Sequence, residues 1–159
     1  MSATSVPWRM SSVLLAVAGV IVAGIGVYFI VLRPSLLPED TRFMALSAAE
    51  VSAIGPRLGA WLAHVFRVLG GFALATGLLI LALAATAFRE RHPIAVLGAA
   101  LGGAASIGLM AAVNFAIDSD FKWLLLVFAG VWAVSLIAFW AEARSARSPI
   151  SFPHNLKGN

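Results

Sequence analysis

The sequence contains no cysteine, which removes disulfide frameworks, thiolate metal sites, iron–sulfur clusters and thiol redox relays. Charge is almost as scarce. Asp, Glu, Lys and Arg make up 11% of the 159 residues, where an ordinary soluble domain carries roughly a quarter, so a typical cytosolic globule is excluded. No P-loop, Rossmann glycine fingerprint, Gly-x-Ser-x-Gly elbow, His-Glu-x-x-His pair or glycosylation sequon occurs, and neither a cofactor nor a catalytic residue is expected from motifs. Eleven Lys and Arg against seven Asp and Glu give a formal charge of +4. These cations cluster in short stretches between apolar runs, a placement that reads as membrane topology and not as nucleic-acid binding.

What the sequence does have is apolar length, with 61% of its residues hydrophobic. A hydrocarbon core about 30 Å thick needs roughly 20 apolar residues at 1.5 Å rise each. Four uncharged runs meet that need: Val13 to Leu32, Val68 to Phe88, Ile94 to Ile117 and Trp123 to Ala141. Runs so rich in Leu, Ala and Gly show no period of two, and helices satisfy their own backbone in lipid. The reading is an all-α integral membrane four-helix bundle over 1–141, with helices at about 13–32, 56/68–88, 94–117 and 123–141. The loop 33–67 is partly helical and the tail 142–159 is flexible. The first run exceeds the usual apolar length of a signal peptide, and Arg33-Pro34-Ser35 offers no cleavage site after it, so it is expected to be retained.

Cations near the helix ends divide six against five, with Arg9, Arg89, Arg91, Arg144, Arg147 and Lys157 on the richer side. The short link holding Arg89 and Arg91 is more decisive, because Lys122 in the other short link lies beside Asp118 and Asp120. Both termini are therefore expected in the cytoplasm, with the protein in the plasma membrane. Trp8 and Trp140 then fall at the inner interface and Trp61 and Trp123 at the outer one, while Trp132 is mid-helix.

In the long link, Pro34 and Pro38 suggest an extended start. Ser47-Ala48-Ala49-Glu50 matches a capping box before a short helix, which Gly55 and Pro56 end. A new helix is expected from Pro56 into the membrane, with a kink where Gly70-Gly71 enters. The links Arg89–Pro93 and Asp118–Lys122 are short enough to force antiparallel neighbours.

Helices in lipid associate by close packing, so small residues one turn apart mark contact faces. Helix three carries Gly98, Gly102 and Ser106 on one stripe and Ala104, Gly108 and Ala112 on another, which predicts a central position for it. Gly98-x-x-x-Gly102 serves either packing within the chain or homodimerisation. Gly19, Ala23 and Gly26 offer a similar face on helix one. The stripe Phe128, Trp132, Ser135, Phe139 reads as lipid-facing or as filler against small residues, with a ligand pocket the less favoured option.

Polar groups at the membrane are the candidates for function, because keeping them there is costly. No Asp, Glu, Lys, Arg or His lies mid-helix, which disfavours proton-coupled pumps and multidrug exchangers. His64, His92 and His154 are too shallow for haem ligation across the bundle. At the outer ends of helices two and three, His64 and Arg67 share one face and Asn114 and Asp118 another, with Glu39, Asp40, Asp120 and Lys122 near enough to join. This cluster reads either as an Arg67–Asp118 ion pair holding the loop down or as a site for an anionic headgroup at Arg67, with His64 as acid or base. Asp118-x-Asp120 alone is a weak divalent-cation signal, and no metal is expected.

The segment Leu37-Pro38-Glu39-Asp40 with Arg42-Phe43, then His64-x-x-Arg67-x-x-Gly70-Gly71 and Ala75-Thr76-Gly77-Leu78, resembles a pattern of uncharacterised bacterial four-helix integral membrane proteins over residues 37–78. The resemblance implies that the loop and the start of helix two form one unit, and it implies no activity. Two readings of function follow. The first is a non-catalytic accessory, scaffolding or assembly subunit whose partners are the bilayer and itself or another membrane protein. The alternative is a lipid- or small-molecule-binding protein, an enzyme included, with an outer-leaflet polar site.

Overall fold

The computed structural model describes residues 7–145, and among them every regular element is helical. α1 spans Met10–Val31, α2 Pro38–Met44, α3 Ala48–Ile54, α4 Leu58–Ala85, α5 Pro93–Gly103, α6 Leu109–Ala116 and α7 Lys122–Ser145, with a π-helical turn, Ala104–Gly108, joining α5 to α6. Four helices are long and apolar enough to cross a bilayer: α1, α4, the α5–π–α6 unit and α7. Only 22 to 28% of each span's most apolar window is buried inside the protein. Side chains such as Val20, Leu79, Leu101 and Ile137 lie on the surface, a pattern that suits a hydrocarbon solvent and would be ruinous in water. The protein is a multi-pass four-helix membrane bundle.

Several local expectations hold. The Ser47 side chain accepts from the Glu50 N–H at 3.2 Å while Glu50 accepts from the Ser47 N–H at 2.7 Å, so the capping box forms and starts α3. Pro93 stands at the first turn of α5, where its missing N–H costs nothing. Pro38 corrects the expected extended start: it opens α2 instead, and the Asp40 carboxylate accepts from the Leu37 N–H at 2.9 Å, supplying the cap. α4 begins at Leu58 and passes without interruption through Gly70 and Gly71, so the glycine pair does not break it.

The central helix is α1, which packs on α4 and α7, and not helix three. The reason lies in glycines spaced two turns apart. A Cβ on Gly26 would stand 2.3 Å from the Leu74 backbone nitrogen, and one on Gly77 would stand 2.3 Å from that of Ala23. Gly19 and Gly70 are nearly as tight, so the two backbones touch along their length. Gly102, by contrast, has nothing near its Cβ position and Gly98 only Leu83 Cδ2 at 3.9 Å. The glycine of helix three that packs is Gly103, where a Cβ would lie 1.9 Å from Trp132 Nε1. That indole donates to the Ala99 carbonyl at 2.9 Å, and Ser106 Oγ donates to the Gly102 carbonyl at 2.6 Å. The π turn begins one residue after Gly103, as such turns do where a side chain wedges into a helix. Gly108 meets only ordinary contacts, the nearest being the Gly103 carbonyl oxygen at 3.4 Å.

The end of the bundle that carries the chain termini is closed. Leu15, Ile80, Ala84, Phe88, Ala95, Ala99 and Phe139 form a buried core there, with the Phe88 and Phe139 rings 4.8 Å apart. Glu142 accepts from the Ser11 N–H at 3.1 Å and from Ser11 Oγ at 2.8 Å, and pairs with Arg91. Arg91 also donates to the Phe139 carbonyl at 2.8 Å. Since Arg9 offers α1 no side-chain cap, the carboxylate from α7 satisfies the donor that the helix start leaves free. Residues 142–145, read as part of a flexible tail, are thus helical and anchored; residues 146–159 lie outside the described residues.

Candidate ligand cleft

Toward the opposite end, where α2 and α3 lie, the helices diverge. Val22, Ile107, Ala111 and Leu125 form a second, smaller core at mid-height. Beyond it a cleft of about 650 Å³ opens between α1, α4, α6 and α7. Its walls are mostly apolar, including Ile25, Phe66, Met110 and Phe128, and its polar side chains are Tyr28, Arg33, Glu39, Asp40 and Asn114. A second cleft of about 510 Å³ runs between α1, α4 and the π-turn region, and shares Ile25, Met110, Val113 and Asn114 with the first. The two lie on either side of one wall of side chains. Volume and lining are those of a small-molecule site: a concave apolar surface with few polar groups to orient an occupant.

α2 covers the loop end of the larger cleft through contacts in two directions. Toward α1 and α4, Arg33 donates to Asp40 Oδ2 and to the Pro34 carbonyl, each at 3.0 Å. Its guanidinium lies 3.3 Å from the Phe66 ring centroid, and only 6% of its side chain is exposed. Toward the turn before α7, Arg42 donates to the Asp118 carbonyl at 2.8 Å and to Asp120 Oδ1 at 2.9 Å. Between these pairs sits Glu39, 3% exposed. One of its carboxyl oxygens accepts from Ser119 Oγ at 3.3 Å, and among the described residues the other has no hydrogen-bond partner.

The four residues singled out from the sequence separate here. Asn114 lines both clefts, its amide donating to the Met110 carbonyl at 2.9 Å. Asp118 stands at the turn, pairing with Lys122 and not with Arg67. His64 and Arg67 are exposed on α4, and the residue this helix sends into the cleft is Phe66. At about 100° per residue, a helix that turns position 66 inward must direct 64 and 67 elsewhere. Sequence reading placed Glu39 and Asp40 close to the site but missed Arg33, taken only as an orientation charge. Its signal was the aromatic company of Phe29 one turn earlier. Among the described residues no group of three or more His, Asp or Glu could hold a metal ion, and the two carboxylates of Asp118-x-Asp120 are each engaged by a cation.

Outside the spans, the Lys122 hydrogen bond and charge, followed by the charge of Arg42, hold the Asp118 carboxyl below its ordinary value. The hydrogen bonds from the Ser47 backbone and side chain do the same for Glu50. A carboxyl whose folded value is depressed stabilises the fold above its unfolded value, near 4, and loses that contribution as pH falls through the folded value. Thermal midpoints should therefore drop below about pH 4, and Asp118→Asn should flatten part of that dependence. An acid limb with the same slope in the variant would show that this pair contributes nothing.

Comparison with family models, curated proteins and solved structures gives no match for this chain. The class the fold defines is therefore the conclusion reached: a multi-pass four-helix membrane protein with a cleft at one end.

Proposed function

We propose that the protein binds one amphiphilic molecule drawn from the bilayer, its chain among the apolar side chains of the larger cleft and its polar head under α2. The observation that carries this is the cleft itself, about 650 Å³ of mostly apolar space ending at the buried Glu39 and the Arg33–Asp40 pair. At about 30 Å³ per water-sized group, it suits roughly twenty non-hydrogen atoms, the scale of a single-chain lipid. With the termini in the cytoplasm, as the cation pattern favours, the occupant belongs to the outer leaflet of a plasma membrane.

Gly24 lines this cleft and has nothing within 4 Å of its Cβ position, so Gly24→Phe adds a ring at the cleft wall with no clash at Cβ. The test is native mass spectrometry after extraction in mild detergent. The unaltered protein should retain a lipid in about stoichiometric amount, and Gly24→Phe should retain at least about tenfold less while melting no lower, since glycine is a poor helix former. Equal retention by the two proteins would overturn the reading.

An accessory or assembly role keeps one specific support: the open stripe of Gly98 and Gly102, which no helix of the described residues covers closely. Under that reading Gly102→Leu should release a partner or dissociate an oligomer with no loss of thermal stability. Unchanged size on gel filtration would remove it.

A further inference from the structure

Glu39 is the one acid of the cleft lining that no cation of the described residues faces. Of the four acids around its mouth, Asp40 faces Arg33, Asp120 faces Arg42 and Asp118 faces Lys122. Among the described residues Glu39 alone faces no cation, although it is the most buried of the four, and one of its oxygens is unpartnered beside the cleft that it lines. The Asn114 carbonyl oxygen is likewise unpartnered among the described residues, because the only hydrogen bond of that side chain is the one its amide donates. The one guanidinium in the lining already faces Asp40, the Pro34 carbonyl and the Phe66 ring. A carboxylate on a residue this buried is matched best by a charged donor.

Resting on the amphiphile reading, we infer that the ligand's head is a cationic hydrogen-bond donor, an amine, bound by Glu39 with Asn114 beside it, and not the anionic headgroup that Arg67 suggested. Arg33 then has a positioning role: paired with Asp40 and stacked on Phe66, it ties α2 to α1 and α4 so that Glu39 stays over the cleft. An anionic head would meet the free Glu39 oxygen and would have to share with Asp40 the one guanidinium in the lining.

The test compares hexadecylamine, hexadecanol and palmitate, which share a chain and differ in the head, titrated against the delipidated full chain in nanodiscs of neutral lipid. Hexadecylamine should bind at least about tenfold more tightly than palmitate, with hexadecanol between them. Glu39→Gln, which keeps an acceptor for Ser119, should weaken the amine about tenfold and the alcohol much less. Palmitate binding as well as or better than the amine would overturn the inference while leaving the amphiphile reading in place. An amine preference undiminished by Glu39→Gln would overturn the assignment to Glu39. If none of the three binds, or Gly24→Phe binds all of them as the unaltered protein does, the cleft is not the site and both readings fall. Should Glu39→Gln fail to fold, the order of the three probes on the unaltered protein decides alone.

Discussion

Gly26→Ala should destabilise the bundle by about 2 kcal/mol or more, among the larger effects a single added methyl can have. The added carbon would meet the Leu74 backbone nitrogen at 2.3 Å, the Leu74 Cα at 2.7 Å and the Gly70 carbonyl oxygen at 2.8 Å. None of these is the far end of a flexible side chain. Relief requires α1 and α4 to move apart, and the loss then spreads along the contact through Gly19, Gly70 and Gly77. In lipid no hydrophobic gain compensates for a looser fit, because the acyl chains are as apolar as the side chains they replace. Gly24→Ala is the control two residues away, and it should be neutral or stabilising by up to about 1 kcal/mol, because helix propensity rises and nothing is struck. Thermal melts of the two variants in one detergent measure the difference. Equal midpoints would mean that the α1–α4 approach is looser than described.

The second large effect is expected at Gly103. A methyl there would occupy the place of the Trp132 indole, displacing it and breaking its hydrogen bond to the Ala99 carbonyl. Overpacking and the orphaned polar groups together should cost about 3 kcal/mol. The displaced indole should also change its fluorescence, and Trp132→Phe serves to assign that part of the signal. Gly102→Ala, one residue earlier and facing open space, should leave emission unchanged and stability unchanged or raised by up to about 1 kcal/mol. Reversed behaviour of the two glycines would restore the stripe that the sequence alone favoured.

These two sites show what could be read from the chain. Gly19 and Gly26 were visible as a small-residue face on helix one, equal in kind to Gly98 and Gly102 on helix three. Composition could not rank them, since small residues permit contact without naming the partner. Gly103 was hidden by its own neighbour: it continues the buried stripe of Ala95 and Ala99, about 100° around the helix from Gly98 and Gly102, and four-residue spacing alone favoured the stripe that holds two glycines. The site divided in the same way. Glu39, Asp40, Asn114 and Asp118 were recognised as polar groups near one boundary. Which side chain α4 adds beside them depended on the rotation of that helix, which turns Phe66 to the cleft and His64 and Arg67 away from it.

By itself, then, the sequence determined the four crossings, the short antiparallel links and the Ser47 cap. The physical reason is local: in hydrocarbon a backbone must bond to itself, so an apolar run of sufficient length has one outcome, and a capping box closes within four residues. Tertiary structure alone decided that α1 is central, that Glu142 caps a helix 131 residues away, that α2 exists as a cover, and that a cleft remains beneath it. Each of those depends on which faces of separate helices meet, and in lipid that choice rests on fractions of an ångström in backbone approach, which no pattern along the chain records.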